Sequence, residues 1–165
     1  MNELSAGLSV EVTVSSAAWF DDCPHAAAIA ASAAQAALRD SGSAGQFLVD
    51  VTLADDTEQR RLNRTYRGND APTNVLAFPQ WAPGTLRPGQ PVLLGDVVLA
   101  FETVRREAAE QNKPFANHLR HLVVHGVLHL LGLDHENVAE AAAMEAREIK
   151  ILAGLGVPDP YRGIM

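Results

Sequence analysis

Apolar and polar residues alternate along positions 8–14, with the period of two that is typical of a strand with one buried face. Short runs rich in Val, Leu and Phe occupy residues 47–53, 74–78 and 92–100, and clusters of Gly, Pro and polar residues bound them. The stretch from 81 to 91 between the last two runs holds Pro and Gly and predicts a loop. The pattern therefore predicts four strands.

Helical segments separate and follow these strands. Residues 24–40 are rich in Ala and predict a helix that ends near Ser41 and Gly42. A second helix carries several arginines, can be capped by Asp55 or Asp56, and stops at Gly68. Further helices are expected over 102–111, from Pro114 onward and over 139–152. A small, mixed, four-stranded sheet packed with about five helices makes the predicted fold class α+β.

Length and composition predict one globular domain that spans residues 1–165. A chain of 165 residues with 47% hydrophobic and 20% charged residues suits a single core. Cys23 is the only cysteine, which excludes an intrachain disulfide and a Cys-rich zinc cluster. The first residues lack a basic start before an apolar run, and no uninterrupted stretch of about 18 apolar residues follows. We therefore expect a soluble cytoplasmic protein with no membrane partner.

Three histidines in the segment from His125 to His135 predict a metal site. On a helix, His125 and His129 lie one turn apart on the same face. Gly132 can adopt the left-handed conformation that ends a helix, so the chain can turn and bring His135 toward the same ion. The spacing matches the zinc-ligand pattern of metzincin proteases. Three protein ligands leave a position open for water, which is typical of a catalytic site with one Zn²⁺ per chain.

Two other interpretations of this segment stay open: a set of buried core histidines and the metal site of a protease. The surrounding residues are almost all apolar, so the histidines could be buried core residues with hydrogen-bonding partners. His121 is a poor third ligand, because it would lie ~12 Å from His129 along a straight helix. Gly126 replaces the Glu that serves metzincins as general base, which weakens a protease interpretation. Carboxylates near the motif could act in catalysis, orient a ligand or begin the next helix: Asp134, Glu136 and Glu145.

A basic stripe adds a second functional candidate. Arg60, Arg64 and Arg67 follow helical spacing at i, i+4 and i+7, although the net charge of −7 argues against a general nucleic-acid binder. Arg67 immediately precedes a loop that leads into a predicted strand, where functional side chains are often displayed. A guanidinium there could stabilise the charge of a phosphodiester in its transition state. The alternatives are a solvated charged face and a salt bridge between Arg67 and Asp70 or another carboxylate.

The same residues resemble the bacterial YbeY family. The resemblance rests on Leu-Asn-Arg-Thr-Tyr-Arg at 62–67, Pro-Thr-Asn-Val-Leu-Ala-Phe-Pro at 72–79, Leu-Gly-Asp-Val-Val at 94–98 and the histidine segment. Ala77 and Leu133 depart from the commoner Ser and Tyr. The resemblance implies zinc ligands at His125, His129 and His135 and a functional arginine at Arg67.

The activity implied by this resemblance is that of a metal-dependent endoribonuclease specific for single-stranded RNA. Its implied roles are 16S ribosomal RNA 3′-end maturation and ribosome quality control, so the expected partners are that RNA and the ribosome or its small subunit, and not DNA. Two other functions stay open: a zinc metalloprotease-like hydrolase, and a ribosome-associated protein whose metal is structural.

Overall fold

A mixed sheet of four strands lies at the centre of the computed structural model, which describes residues 10–42, 47–80, 92–133 and 136–162. The strands are β1 (Val10–Val14), β2 (Phe47–Ala54), β3 (Val75–Pro79) and β4 (Val92–Ala100). Their order in the sheet is β1-β2-β4-β3; β1, β2 and β4 run parallel, and β3 is an antiparallel edge strand. The edge position explains how Pro79, which has no N–H to donate, can end a strand.

The described residues form six helices. They are α1 (Ala18–Asp22), α2 (Ala26–Asp40), α3 (Asp56–Arg67), α4 (Phe101–Glu110), α5 (Phe115–Leu130) and α6 (Val138–Gly154). The α+β class and the mixed four-stranded sheet are confirmed. The five predicted helices are present with slightly different ends, and α1 was not predicted. Trp19 anchors α1, because its indole N–H donates to the carbonyl of Ala54 at 2.8 Å.

Local signals in the sequence set the ends of the helices near the site. The Asp55 carboxylate accepts a hydrogen bond from the Glu58 N–H at 2.8 Å and caps α3, as predicted. Gly68, with φ of 70°, ends that helix in the left-handed conformation. Pro114 immediately precedes α5, and Gly132, with φ of 100°, turns the chain just after its end.

Helix α5 is the central helix of the core. It packs against α2, α4 and α6 and lies on β3 and β4 of the sheet. Leu119, Val123, Val127 and Leu128 are fully buried along it. Its histidines are therefore carried by a core helix rather than by a surface loop.

Several predictions concern residues outside the described ranges. They are the loop at 81–91, the first two residues of the strand predicted at 8–14, Asp134 and His135. Within the residues that the structure does describe, no helix has both the length and the apolar character needed to cross a membrane.

Candidate functional site

A cleft of about 390 Å³ lies between α5, the end of α3 and strand β3. His125 and His129 enter it from α5, and Arg67 enters it from α3. The fold thus brings together every predicted site residue that it describes, although α3 and α5 are distant in sequence. The rest of the described lining is uncharged: Asn63, Asn69, Pro72, Thr73, Asn74, Val75, Leu76, Ala77 and Gly126.

His125 is oriented by a buried carboxylate. Its Nδ1 lies 2.6 Å from Oε2 of Glu148, a residue of α6 with no solvent exposure. Burial alone would raise the pKa of Glu148, but hydrogen bonds from His121, His125 and Tyr161 lower it to about 2. Because a carboxylate can only accept, the proton of the neutral His125 ring is on Nδ1 and the lone pair is on Nε2.

His129 has the same tautomer through a different acceptor. Its Nδ1 lies 3.0 Å from the carbonyl oxygen of Leu133, which the turn at Gly132 brings back to the end of the helix. A carbonyl also only accepts, so Nε2 again has the lone pair. This is the arrangement that a hydrogen-bond acceptor on the far nitrogen imposes on zinc-binding histidines.

The two imidazoles are close enough to share an ion. Their ring centres are 5.8 Å apart. Two imidazoles that bind one zinc through bonds of ~2.0–2.1 Å have ring centres within ~6.5 Å of each other. The described pair therefore fits a metal chemically and by separation.

The third predicted ligand, His135, lies outside the described residues. Among the residues that are described, no three His, Cys, Asp or Glu side chains form a potential metal cluster. The ligand set of His125, His129 and His135 therefore stays a prediction. His121 is engaged elsewhere, since its Nε2 lies 3.0 Å from Oε1 of Glu148.

The three arginines of the basic stripe on α3 have different partners, and Arg67 alone among them lines the cleft. Asp70 binds Arg60 at 2.8 Å and lies 3.7 Å from Arg64, so these two arginines form exposed ion pairs. Arg67 instead donates from Nη2 to the carbonyl of Ala77 at 2.8 Å, and its guanidinium carbon lies 5.6 Å from the ring centre of Phe78. An edge strand has backbone groups without a neighbouring strand, and β3 offers one of them to Arg67. The remaining N–H groups of the guanidinium are suited to an anionic ligand.

Gly126 has a packing role that the sequence did not reveal. A Cβ at this position would lie 2.7 Å from Cγ1 of Val97 and 3.4 Å from Cγ2 of Val75. Helix α5 therefore approaches the sheet closely because residue 126 has no side chain. The Glu that metzincins use as general base would collide with Val97 here.

Glu148 is the site residue that sequence reasoning missed. Of the carboxylates considered there, Glu136 and Glu145 are exposed and Asp134 is not described. The available signal was a polar residue within an apolar stripe, because the buried face of α6 is formed by Met144, Glu148, Ile151 and Leu152. A Glu at such a position requires a buried partner.

Comparisons with known proteins agree with this architecture. A sequence profile described as "YbeY: Endoribonuclease YbeY" matches residues 17–156. Proteins named "Endoribonuclease YbeY" include one from Rhodopseudomonas palustris strain HaA2, 46% identical over 95% of this chain and 83% of its own length. Another, from Bradyrhizobium sp. strain BTAi1, is 48% identical over 93% and 92%, and one from Alkalilimnicola ehrlichii is 57% identical over 77% and 76%.

A solved structure supports the same fold. The solution structure of TM1509 from Thermotoga maritima superimposes with a TM-score of 0.57, over 89% of this chain and 91% of that one, at 21% sequence identity. The fold is an α+β domain with a histidine-bearing helix beside a mixed sheet. The chain belongs to the YbeY endoribonuclease family.

Proposed function

We propose that the protein is a zinc-dependent endoribonuclease that cleaves single-stranded RNA. One Zn²⁺ per chain would be held by His125, His129 and His135, and Arg67 would contact the scissile phosphate. The observation that supports this most strongly is that two imidazoles with Nδ1 bound to acceptors share one cleft with a guanidinium. The chemistry that zinc supplies in such a setting is Lewis acidity toward a phosphoryl oxygen and a lower pKa for water.

The charges of the cleft favour a phosphodiester substrate. None of the described lining residues is acidic, and Arg67 is cationic. A phosphodiester and its transition state have negative charge on the non-bridging oxygens, which a guanidinium stabilises through paired N–H donors. A peptide substrate would instead require a carboxylate to move a proton to the leaving amine, and the packing around Gly126 removes the usual place for it.

The cellular role that we propose is 16S ribosomal RNA 3′-end maturation and ribosome quality control in the cytoplasm. The partners would be this RNA and the ribosome or its small subunit, with no DNA substrate and no membrane partner. The names of the curated relatives support an RNA substrate. With a net charge of −7, RNA binding would depend on positive charge concentrated at the cleft rather than on the whole surface.

The test is cleavage of a 5′-labelled single-stranded RNA by zinc-loaded protein. Wild type is compared with His129→Ala, Arg67→Ala and the matched control Arg64→Ala, whose side chain pairs with Asp70 outside the cleft. We expect cleavage by wild type and Arg64→Ala, and strong loss in the other two variants. Duplex RNA and single-stranded DNA of the same sequence should stay intact.

Zinc content measured on the same samples separates the alternatives. Cleavage of a casein substrate but not of RNA would support the protease. Full zinc occupancy with no hydrolysis of either would support a structural metal. Cleavage that persists in zinc-free His129→Ala would contradict the proposal.

A further inference from the structure

The buried carboxylate of Glu148 connects the cleft to the C-terminal segment. Its Oε2 accepts from His125 Nδ1 at 2.6 Å, and its Oε1 accepts from His121 Nε2 at 3.0 Å and from the hydroxyl of Tyr161. Both carboxylate oxygens are thus bonded, with no solvent exposure of the residue. Such complete hydrogen bonding is what allows an anion to stay in the interior.

The acceptor gives His125 a different environment from His129. A carboxylate that accepts from Nδ1 fixes the ring orientation and increases the basicity of Nε2. The described acceptor of His129 Nδ1 is the backbone carbonyl of Leu133, which is neutral. The basicity of the His125 imidazole therefore depends on the Glu148 side chain, which a substitution can change.

Tyr161 provides another hydrogen bond to the Glu148 carboxylate, donated by its hydroxyl. Its ring packs edge-on against His121, with centres 5.4 Å apart at 83°. Burial and the Glu148 carboxylate both raise the pKa of Tyr161, so its hydroxyl remains a donor. The adjoining backbone is held in place, since Lys113 Nζ donates to the carbonyl of Pro160 at 2.6 Å.

We propose that Glu148 and Tyr161 are positioning residues for the metal ligand His125, so that the C-terminal segment around Tyr161 is part of the metal site. The inference rests on the zinc-binding part of the proposed function. Glu148 orients His125 directly, and Tyr161 acts through Glu148. Neither residue is among the described residues that line the cleft.

Zinc affinity provides the first test. The dissociation constant for zinc is measured by competition with a chromophoric chelator on the full chain, for wild type, Glu148→Gln and Tyr161→Phe. The matched control is Glu145→Gln, an exposed carboxylate on the same helix. We expect Glu148→Gln to weaken zinc binding by ~10–100-fold, the scale for loss of a residue that orients a metal ligand. Tyr161→Phe should give a smaller loss, and Glu145→Gln none.

Imidazole tautomers provide a readout that does not depend on metal or activity. In nitrogen-correlated NMR of the metal-free protein, His125 should be protonated on Nδ1 in wild type and in Glu145→Gln. In Glu148→Gln the ring should lose this single tautomer. Thermal unfolding of the same samples separates a local effect from general destabilisation.

The outcomes distinguish this inference from the function on which it rests. Wild type that binds no zinc would overturn both. Wild type that binds zinc and cleaves RNA, with unchanged zinc affinity and His125 tautomer in Glu148→Gln, would overturn only the positioning role of Glu148 and Tyr161. If Glu148→Gln does not fold, Tyr161→Phe decides the matter, because it retains the ring packing; unchanged zinc affinity in that variant would refute the inference.

Discussion

The two walls of the cleft are built in opposite ways. One wall, the histidine wall, consists of His125 and His129 on the core helix α5 and is supported by the fully buried Glu148. The other wall, the arginine wall, is Arg67, the exposed last residue of α3. Its side chain donates to the backbone carbonyl of Ala77 and lies near the Phe78 ring. Changes in the histidine wall should therefore alter stability and chemistry together. Changes in the arginine wall should alter chemistry alone.

The largest effect that tests this contrast is expected from Arg67→Lys. An ammonium is a compact charge and cannot reproduce the paired N–H donors of a guanidinium. If Arg67 acts chiefly in the transition state, turnover should fall by ~10²–10³-fold, which is ~2.7–4 kcal/mol for one preorganised donor. RNA affinity should fall less than turnover, and zinc content and melting temperature should stay at wild-type values.

Single-turnover cleavage, zinc analysis and thermal unfolding on the same preparation check this prediction. Arg61→Lys is a matched control, because Arg61 pairs with Glu58 on the exposed face of the same helix. If Arg67→Lys cleaves normally, the arginine wall has no catalytic role. If the variant loses zinc or its fold along with activity, the arginine wall is not independent of the histidine wall.

Removing zinc tests the coupling expected of the histidine wall. Because the proposed ligands would join α5 to the segment that follows it, zinc binding should stabilise the folded state by mass action. At free zinc about 100-fold above the dissociation constant, this stabilisation is ~2.7 kcal/mol. Chelation should then lower the melting temperature by ~5–10 °C for a chain of this size.

Thermal unfolding with and without chelator measures this difference, with His129→Ala as the control that should not respond. An unchanged melting temperature in zinc-loaded wild type after chelation would show that the histidine wall is as independent of folding as the arginine wall.

Gly126→Ala tests how closely the histidine wall is fitted to the sheet. The new methyl group would approach Val97 within 2.7 Å, and a β-branched side chain in a strand has little freedom to move aside. The free energy of unfolding should fall by ~1–3 kcal/mol, the usual effect of overpacking a core. Urea unfolding of Gly154→Ala supplies the control, since the space around Gly154 is open. Equal stability of the two variants would contradict the close contact between α5 and β4.

Gly126 also shows what sequence could and could not predict. The sequence correctly indicated the α+β class and the ends of α3, because caps such as Asp55 and Gly68 act through residues only a few positions away. The order of the strands, the contact of residue 126 with Val97 and the bond between His125 and Glu148 join distant parts of the chain. No local pattern specifies such partners. The histidine spacing is local, so the sequence could propose the ligands but not the residues that orient them.

The smallest effect is expected at Asp70, on the exposed side of the arginine wall. Hydrogen bonds from Arg60 lower the pKa of Asp70, and its carboxylate forms exposed ion pairs with Arg60 and Arg64. Such exposed pairs contribute little to stability.

Asp70→Asn should leave the melting temperature unchanged and release two positive charges beside the cleft. Single-stranded RNA should then bind a few-fold more tightly at low salt, and the gain should shrink as salt screens these charges. Fluorescence anisotropy at two salt concentrations measures the change. The control is Asp40→Asn on α2, because Asp40 also pairs with two cations, Arg147 and Lys150. Tighter binding that persists at high salt, or a clear loss of stability, would mean that Asp70 holds the end of α3 in place, and the arginine wall would then depend on folding after all.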